Sequence, residues 1–130
     1  MRTSTPSEAA LEYINAYNSH DPERLRRGYH PDFVVSNPIF EGTKNADETV
    51  AFISHVWDTL TGARFELFNL AVDGDTALLE FTFAWDDQRD NTTKRTPVAD
   101  VFTVKDGLLY NLRAYMEGTM VHGWVEEMGG

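Results

Sequence analysis

The sequence predicts an α+β fold in which helices pack on one face of a curved antiparallel sheet. Most helix signals lie in the first sixty residues, most strand signals follow them, and two short glycine turns join consecutive strands. Helices followed by hairpin strands indicate this class rather than alternating βαβ units. A bent sheet covered by helices encloses a pocket, and such pockets bind small molecules.

The first helix has a complete start signal. Thr5 is the predicted N-cap, Pro6 occupies the first helical position, and Glu8 closes a capping box. We expect this helix to run to about Ser19. Its apolar side carries residues at the spacing of one helical face, namely Ala10, Tyr13, Ile14 and Tyr17.

Two further helices are predicted before residue 62. Asp21 and Pro22 begin a short helix that ends near Gly28. Asn45 and Glu48 form another capping box, so a third helix begins there. The residues expected on its apolar face are Ala46, Val50, Ile53, Trp57 and Leu60.

Five strands are predicted, one before the third helix and four after it. The first is the run DFVVSN at 32–37. The other four span 64–72, 76–85, 95–104 and 108–117. Turns at Gly74 and Gly107 make two hairpins of them. Residues 86–94 form a polar loop, and the tail from Gly118 is predicted to be irregular or weakly helical.

Composition limits the classes of function. A chain of 130 residues with 42% hydrophobic content fits a single globular domain, 1–130. Its apolar runs are too short to cross a bilayer, and its first residues lack a secretory signal, so a cytoplasmic protein is expected. A net charge of −10 opposes binding to nucleic acid or to an anionic membrane surface.

Asp100 is the most informative polar residue. Strand alternation places it on one face with Val98, Phe102 and Val104. A carboxyl group buried on such a face has a raised pKa, and its protonated form can donate a hydrogen bond at neutral pH. The alternative is a solvated Asp100, with the opposite face, which carries Val101, turned inward.

Other polar and aromatic positions leave alternatives open. Tyr13 lies on the apolar side of the first helix, where it serves either core packing or a polar role through its hydroxyl. Glu80 is expected at the surface. The last strand is predicted to turn Leu108, Tyr110, Leu112, Ala114 and Met116 inward, and to present a solvated or interface face with Asn111, Arg113, Tyr115 and Glu117.

Metal and nucleotide sites are not indicated. The four histidines, His20, His30, His55 and His122, lack the spacing of metal ligands. Neither a Gly-x-Ser-x-Gly elbow nor a phosphate-binding glycine loop is present. We therefore expect no cofactor. His30 precedes a proline and could line a cavity.

The stretch VVSNPIFEG at 34–42 ends a strand at Asn37, because Pro38 removes a backbone donor. With the helices, the NSHD turn at 18–21 and the two hairpins, it makes the chain from about Ser7 to Glu117 resemble the nuclear transport factor 2-like superfamily, in particular ketosteroid isomerases and SnoaL-like proteins. The resemblance implies a cone-shaped roll: a curved, mainly antiparallel sheet packed on three N-terminal helices around an apolar pocket. Because such proteins are often dimers, it also implies a homodimer.

The isomerase pattern implies a site that is incomplete in this sequence. Its oxyanion-binding tyrosine and aspartate fall on Tyr13 and Asp100, and its catalytic base falls on Asn37. An amide cannot accept a proton from carbon at neutral pH. Another group would have to replace the base, and the candidates are His30, Glu41 and Asp58.

The resemblance implies a cofactor-free enzyme of isomerase or cyclase type, acting on an apolar cyclic carbonyl compound such as a steroid-like or polyketide-like molecule. The alternative is a non-catalytic ligand-binding or interaction module. An epoxide hydrolase is disfavoured, since the Asp-Arg-Asp centre of the limonene type falls near Phe81, Phe83 and Ala114, none of them ionisable. The side chains expected to contact the substrate are Tyr17, His30, Trp57, Phe81, Phe83, Trp85, Phe102 and Met116.

Overall fold

The structure is a computed structural model that describes residues 3–36, 42–116 and 118–129, with the side chains of the last segment described from 123 onward. It contains helices and strands in the order α1 (Pro6–Ser19), α2 (Pro22–Arg27), β1 (Tyr29–Ser36), β2 (Thr43–Asn45), α3 (Ala46–Thr59), β3 (Arg64–Asp73), β4 (Thr76–Asp87), β5 (Thr92–Lys105), β6 (Leu108–Met116) and α4 (Gly118–Gly129).

The strands form one curved, open sheet in the order β2-β1-β6-β5-β4-β3. Every neighbouring pair is antiparallel except β1 and β6, which are parallel. The predicted α+β roll with a mainly antiparallel sheet is confirmed.

The predicted helix starts are confirmed in detail. The Glu8 backbone N–H donates to Thr5 Oγ1 at 3.2 Å, and the Thr5 N–H donates to Glu8 Oε1 at 2.9 Å. Asn45 and Glu48 make the same reciprocal pair, both bonds at 2.9 Å. These caps satisfy backbone donors that a helix start would otherwise leave without partners.

Several elements differ from the predicted boundaries. Strand β4 ends at Asp87 and β5 begins at Thr92, so only residues 88–91 remain of the polar loop predicted at 86–94. Strand β1 begins at Tyr29, three residues earlier than expected, because Tyr29 already pairs with Leu109 of β6. The three-residue strand β2 was not predicted, and it pairs antiparallel with the end of β1. The tail forms α4, in which the Trp124 ring stacks on Phe83 at a centroid distance of 6.3 Å.

The predicted inward stripe of β6 is wrong in its first half. A register shift between Thr103 and Val104 leaves Tyr110 without an opposite residue, so Leu109 is buried instead of Leu108 and Tyr110. Beyond this bulge the prediction holds, since Leu112 and Ala114 are buried. An extra residue in one strand reverses the faces on one side of it.

The core lies between the concave face of the sheet and helices α1 and α3. Its fully buried side chains include Leu79, Trp85 and Phe102. The opposite face of the sheet is partly exposed, with Glu80 and Tyr115 on it. The placement of Glu80 at the surface is as predicted.

Candidate active site

An apolar cavity lies between α1, α3 and the concave face of the sheet. Its volume is about 70 Å³. Its described walls consist of aromatic and aliphatic side chains, with Tyr13, Tyr17, Thr49 and Asp100 as the polar residues. No lysine, arginine or histidine is among these described lining residues.

Asp100 sits in the middle of β5, opposite Leu79 of β4 and Ala114 of β6. Its side chain is 2% exposed, and its Oδ1 atom has no hydrogen-bond partner within the described part of the chain. Burial raises the pKa of this carboxyl from 3.8 to about 8, since desolvation penalises the charged form. At neutral pH Asp100 is therefore mainly protonated and can donate a hydrogen bond to a ligand.

Tyr13 reaches the same cavity from α1. Its ring packs edge-on against Phe102 at 5.0 Å between centroids and lies 6.4 Å from the ring of Tyr29. Burial raises the pKa of the Tyr13 hydroxyl well above its usual value, and the nearby Tyr29 and Asp100 raise it further. The hydroxyl remains a donor over the whole physiological range.

Two more tyrosines surround this pair. Tyr17 stacks on Phe65 at a centroid distance of 3.6 Å and lines the cavity. Tyr29 lies behind Tyr13, and its hydroxyl is buried close to that of Tyr13. Burial raises the pKa of both hydroxyls, and the Asp100 carboxyl adds to the effect at Tyr29. Both tyrosines are therefore neutral beside Asp100.

Four of the predicted substrate-contacting residues line the cavity, namely Tyr17, Phe81, Phe83 and Met116. Another three are absent from its described lining because other side chains shield them. Phe102 lies behind Tyr13, and Trp57 packs edge-on behind Tyr17 at 5.6 Å. Trp85 is fully buried against Trp124 at 5.8 Å.

His30 is also absent from the described lining. Its Nδ1 atom accepts a hydrogen bond from the Asp32 backbone N–H at 3.0 Å, and its Nε2 atom lies 3.7 Å from Asp106 Oδ2. The ring contacts the edge of Tyr110. Its pairing with polar groups of β1 and of the β5–β6 turn explains why it does not reach the cavity.

The other candidate bases do not supply a second carboxylate to the described walls. Asp58 is exposed on α3 and does not line the cavity. Asn37 and Glu41 lie outside the described residues. Among the residues that are described, no group of three or more histidine, aspartate or glutamate side chains is placed to hold a metal ion.

Several wall residues were not anticipated from the sequence. Phe65 of β3 is one of them, and it links Tyr17 to Phe81, whose ring centroid lies 4.2 Å away. Alternation within β3 is not a usable signal for it, because Leu67 two residues later is 41% exposed. The rest of the wall was not predicted to contact the substrate, although three of its members, Val98, Leu112 and Ala114, were expected to face inward. It consists of Val35, Thr49, Phe52, Ile53, Val56, Val98, Leu112 and Ala114.

Residues 10–112 match the SnoaL-like domain, which covers most of the chain. The chain belongs to the SnoaL-like domain family. No curated protein matches it by sequence.

Solved structures share the architecture of this SnoaL-like domain. IdmH of Streptomyces antibioticus, a proposed polyketide cyclase, superposes with a TM-score of 0.80 at 14% identity over 93% of this chain and 98% of its own. A nuclear transport factor 2-like protein of Burkholderia thailandensis gives 0.78 at 23% identity, covering 95% and 98%. TerC, crystallised with polyporic acid, gives 0.77 at 24% identity, covering 94% and 99%. At these identities the likeness establishes the fold.

None of the described helices has both the length and the apolar character needed to cross a membrane.

Proposed function

We propose that this SnoaL-like domain is a cofactor-free enzyme of isomerase or cyclase type that acts on a small, apolar, cyclic carbonyl compound. One observation carries the proposal: Tyr13 and Asp100, from two distant elements, line one apolar cavity as buried groups. Neutral donors in a dry cavity are suited to a carbonyl oxygen that gains negative charge.

The chemistry follows from that arrangement. A substrate carbonyl oxygen accepts hydrogen bonds from the Tyr13 hydroxyl and the protonated Asp100 carboxyl. When a base removes the proton from the adjacent carbon, the electron pair of the C–H bond moves into the enolate. The oxygen then carries more negative charge, and its hydrogen bonds from Tyr13 and Asp100 strengthen. Each donor is expected to lower the barrier by about 3–4 kcal/mol. The aromatic wall formed by Phe65, Phe81 and Phe83 holds the ring of the substrate.

In this proposal, Asn37 orients the substrate or a water molecule. The proton is accepted by water or by another group of the protein. Asn37→Asp supplies the carboxylate that the isomerase pattern requires. We expect this variant to gain the ability to convert a β,γ-unsaturated cyclic ketone to its conjugated isomer, measured by ultraviolet absorbance. No gain would mean that the resemblance to isomerases extends to the fold but not to the site.

Enolate-like phenols test the two donors directly. Equilibrium binding of a naphthol should weaken by about 10²–10³-fold in Tyr13→Phe if the donor is worth the stated energy. Tyr110→Phe is the matched control, because this tyrosine is absent from the described cavity lining. Unchanged naphthol affinity in Tyr13→Phe would refute the role of Tyr13.

A non-catalytic ligand-binding module is the alternative. It is favoured by the lack of a second ionisable carboxylate in the described cavity wall. Tight naphthol binding that depends on Tyr13 and Asp100, without turnover of any cyclic ketone in a substrate panel, would support this alternative against the enzyme.

We further infer a homodimer formed through the convex face of the sheet. Tyr115 is 56% exposed there, with Val101 and Ala99 beside it. The same face carries Glu80 and Arg113, so a two-fold related copy can place opposite charges together. Sedimentation velocity should give a dimer for the native chain and a monomer for Tyr115→Glu. A native monomer at micromolar concentration would contradict this inference.

A further inference from the structure

The described wall of the cavity contains an acidic residue but no basic residue. Asp100 is the acidic residue in its described wall, and no basic side chain from that wall is present to pair with it. Its Oδ1 atom lacks a partner among the described residues although the side chain is almost completely buried. An unpaired buried carboxyl is costly unless it is neutral or receives a counter-ion.

Aromatic rings line the same cavity as this carboxyl. Phe81 is opposite Val98 and is therefore the diagonal neighbour of Asp100 on the concave face. The Phe65 ring lies 4.2 Å from Phe81 and 5.8 Å from Tyr13, measured between centroids. Aromatic faces attract cations, and the attraction strengthens where water is excluded. The cavity thus combines a carboxyl group with an aromatic wall.

We propose that this cavity also binds small organic cations, an ammonium or quaternary ammonium group, with the Asp100 carboxylate as their counter-ion. The proposal uses the cavity of the proposed function but does not depend on catalysis there. The carbonyl compound of the proposed function is neutral and requires protonated Asp100. The organic cation is positively charged and requires the Asp100 carboxylate.

Cation binding must be coupled to proton release. Free Asp100 is mainly protonated below pH 8 because burial raises its pKa. A bound cation favours the carboxylate, so the carboxyl proton leaves to solvent as the cation enters. Among the described residues, the titratable groups that face Asp100 are Tyr13 from α1 and Tyr29 from β1, with Tyr17 in the same cavity. All three remain neutral in this range.

Two ligands of nearly identical shape isolate the charge. Trimethylphenylammonium and tert-butylbenzene differ in the central atom of the trimethyl group and in charge. In 0.15 M salt, affinity for trimethylphenylammonium should rise about tenfold per pH unit from pH 6 to 8 and then level off, while affinity for tert-butylbenzene stays constant. Calorimetry at pH 6.5 in two buffers of different ionisation enthalpy should show release of about one proton per cation bound.

The Asp100→Asn variant should lose the preference for the cation and keep its affinity for tert-butylbenzene, which also reports that its cavity is intact. Phe81→Leu should weaken cation binding severalfold more than binding of the neutral ligand. Cation affinity that is independent of pH, or a preference for the cation that survives in Asp100→Asn, would overturn the proposal.

The outcome is separable from that of the proposed function. Naphthol binding, which uses protonated Asp100, should weaken above pH 8, whereas cation binding should reach its maximum there. Loss of cation binding with naphthol binding intact would therefore overturn the cation proposal alone, and the reverse result would overturn the proposed function alone.

Discussion

Replacing Asp100 by asparagine should change the pH dependence of stability in a defined direction. The pKa of the carboxyl is about 8 in the folded chain, against an ordinary value of 3.8. Between these values the folded state holds a proton that the unfolded state has lost. Stability contributed by this group is therefore fully present below about pH 4 and is lost as the pH rises to 8.

The size of the effect follows from the width of that interval. Each pH unit within it is worth about 1.4 kcal/mol, so the four units between 3.8 and 8 correspond to about 6 kcal/mol at most. That is comparable to the whole stability of many domains. Over the accessible range from pH 5 to 8, the free energy of unfolding of Asp100→Asn should gain about 4 kcal/mol relative to the native chain.

Urea denaturation of the native chain and of Asp100→Asn at half-unit intervals of pH measures this difference. The contributions of the other titrating groups are the same in both chains and cancel. Asp87→Asn is the matched control, because Asp87 is equally buried but is paired with Arg89 at 2.7 Å. That pairing lowers the pKa of Asp87 to about 2, so its stabilising effect is lost only as the pH falls from about 4. A constant difference between Asp100→Asn and the native chain from pH 5 to 8 would refute burial of Asp100.

The remaining predictions concern packing, a turn and the last helix. Phe102→Ala should lower the free energy of unfolding by about 3–5 kcal/mol, because its ring is fully buried. Phe68→Ala should change it by less than about 0.5 kcal/mol, because that side chain is 81% exposed; a large loss in urea denaturation would be contrary to the structure. Gly107→Ala should lower the melting temperature more than Gly74→Ala, because an added Cβ at 107 would lie 2.6 Å from a side-chain atom whereas the space at 74 is open; equal shifts would contradict this. Glu127→Gln removes the ion pair that links α4 to the β4–β5 loop, so amide exchange should accelerate in α4 and not in β4; unchanged exchange in α4 would count against this anchoring role.

Local signals were sufficient for the helix starts and for the burial of Asp100. The Thr5 and Asn45 caps are completed within four residues, so the sequence contains the whole interaction. Asp100 was predictable because its immediate neighbours on the same strand face are apolar and the sheet follows the expected alternation there.

Features that depend on contacts between distant segments could not be predicted from the sequence. The bulge that leaves Tyr110 without an opposite residue depends on how β5 pairs with β6, and alternation within β6 does not report it. Trp57 and Trp85 were expected to contact the substrate because both side chains are apolar. Hydrophobicity indicates that a side chain is buried, but it does not indicate whether the side chain borders the cavity or lies behind a residue that does.

The same carboxyl explains both ligand classes proposed for the cavity. Protonated, Asp100 is a hydrogen-bond donor and suits an oxygen that gains negative charge; ionised, it is a counter-ion and suits a cation. A pKa of about 8 places both states within about 1.4 kcal/mol of each other between pH 7 and 9. A ligand therefore needs only a small differential affinity to select either state. Opposite pH dependences for naphthol and for trimethylphenylammonium would follow from this one equilibrium, and both should converge on the same apparent pKa and vanish together in Asp100→Asn.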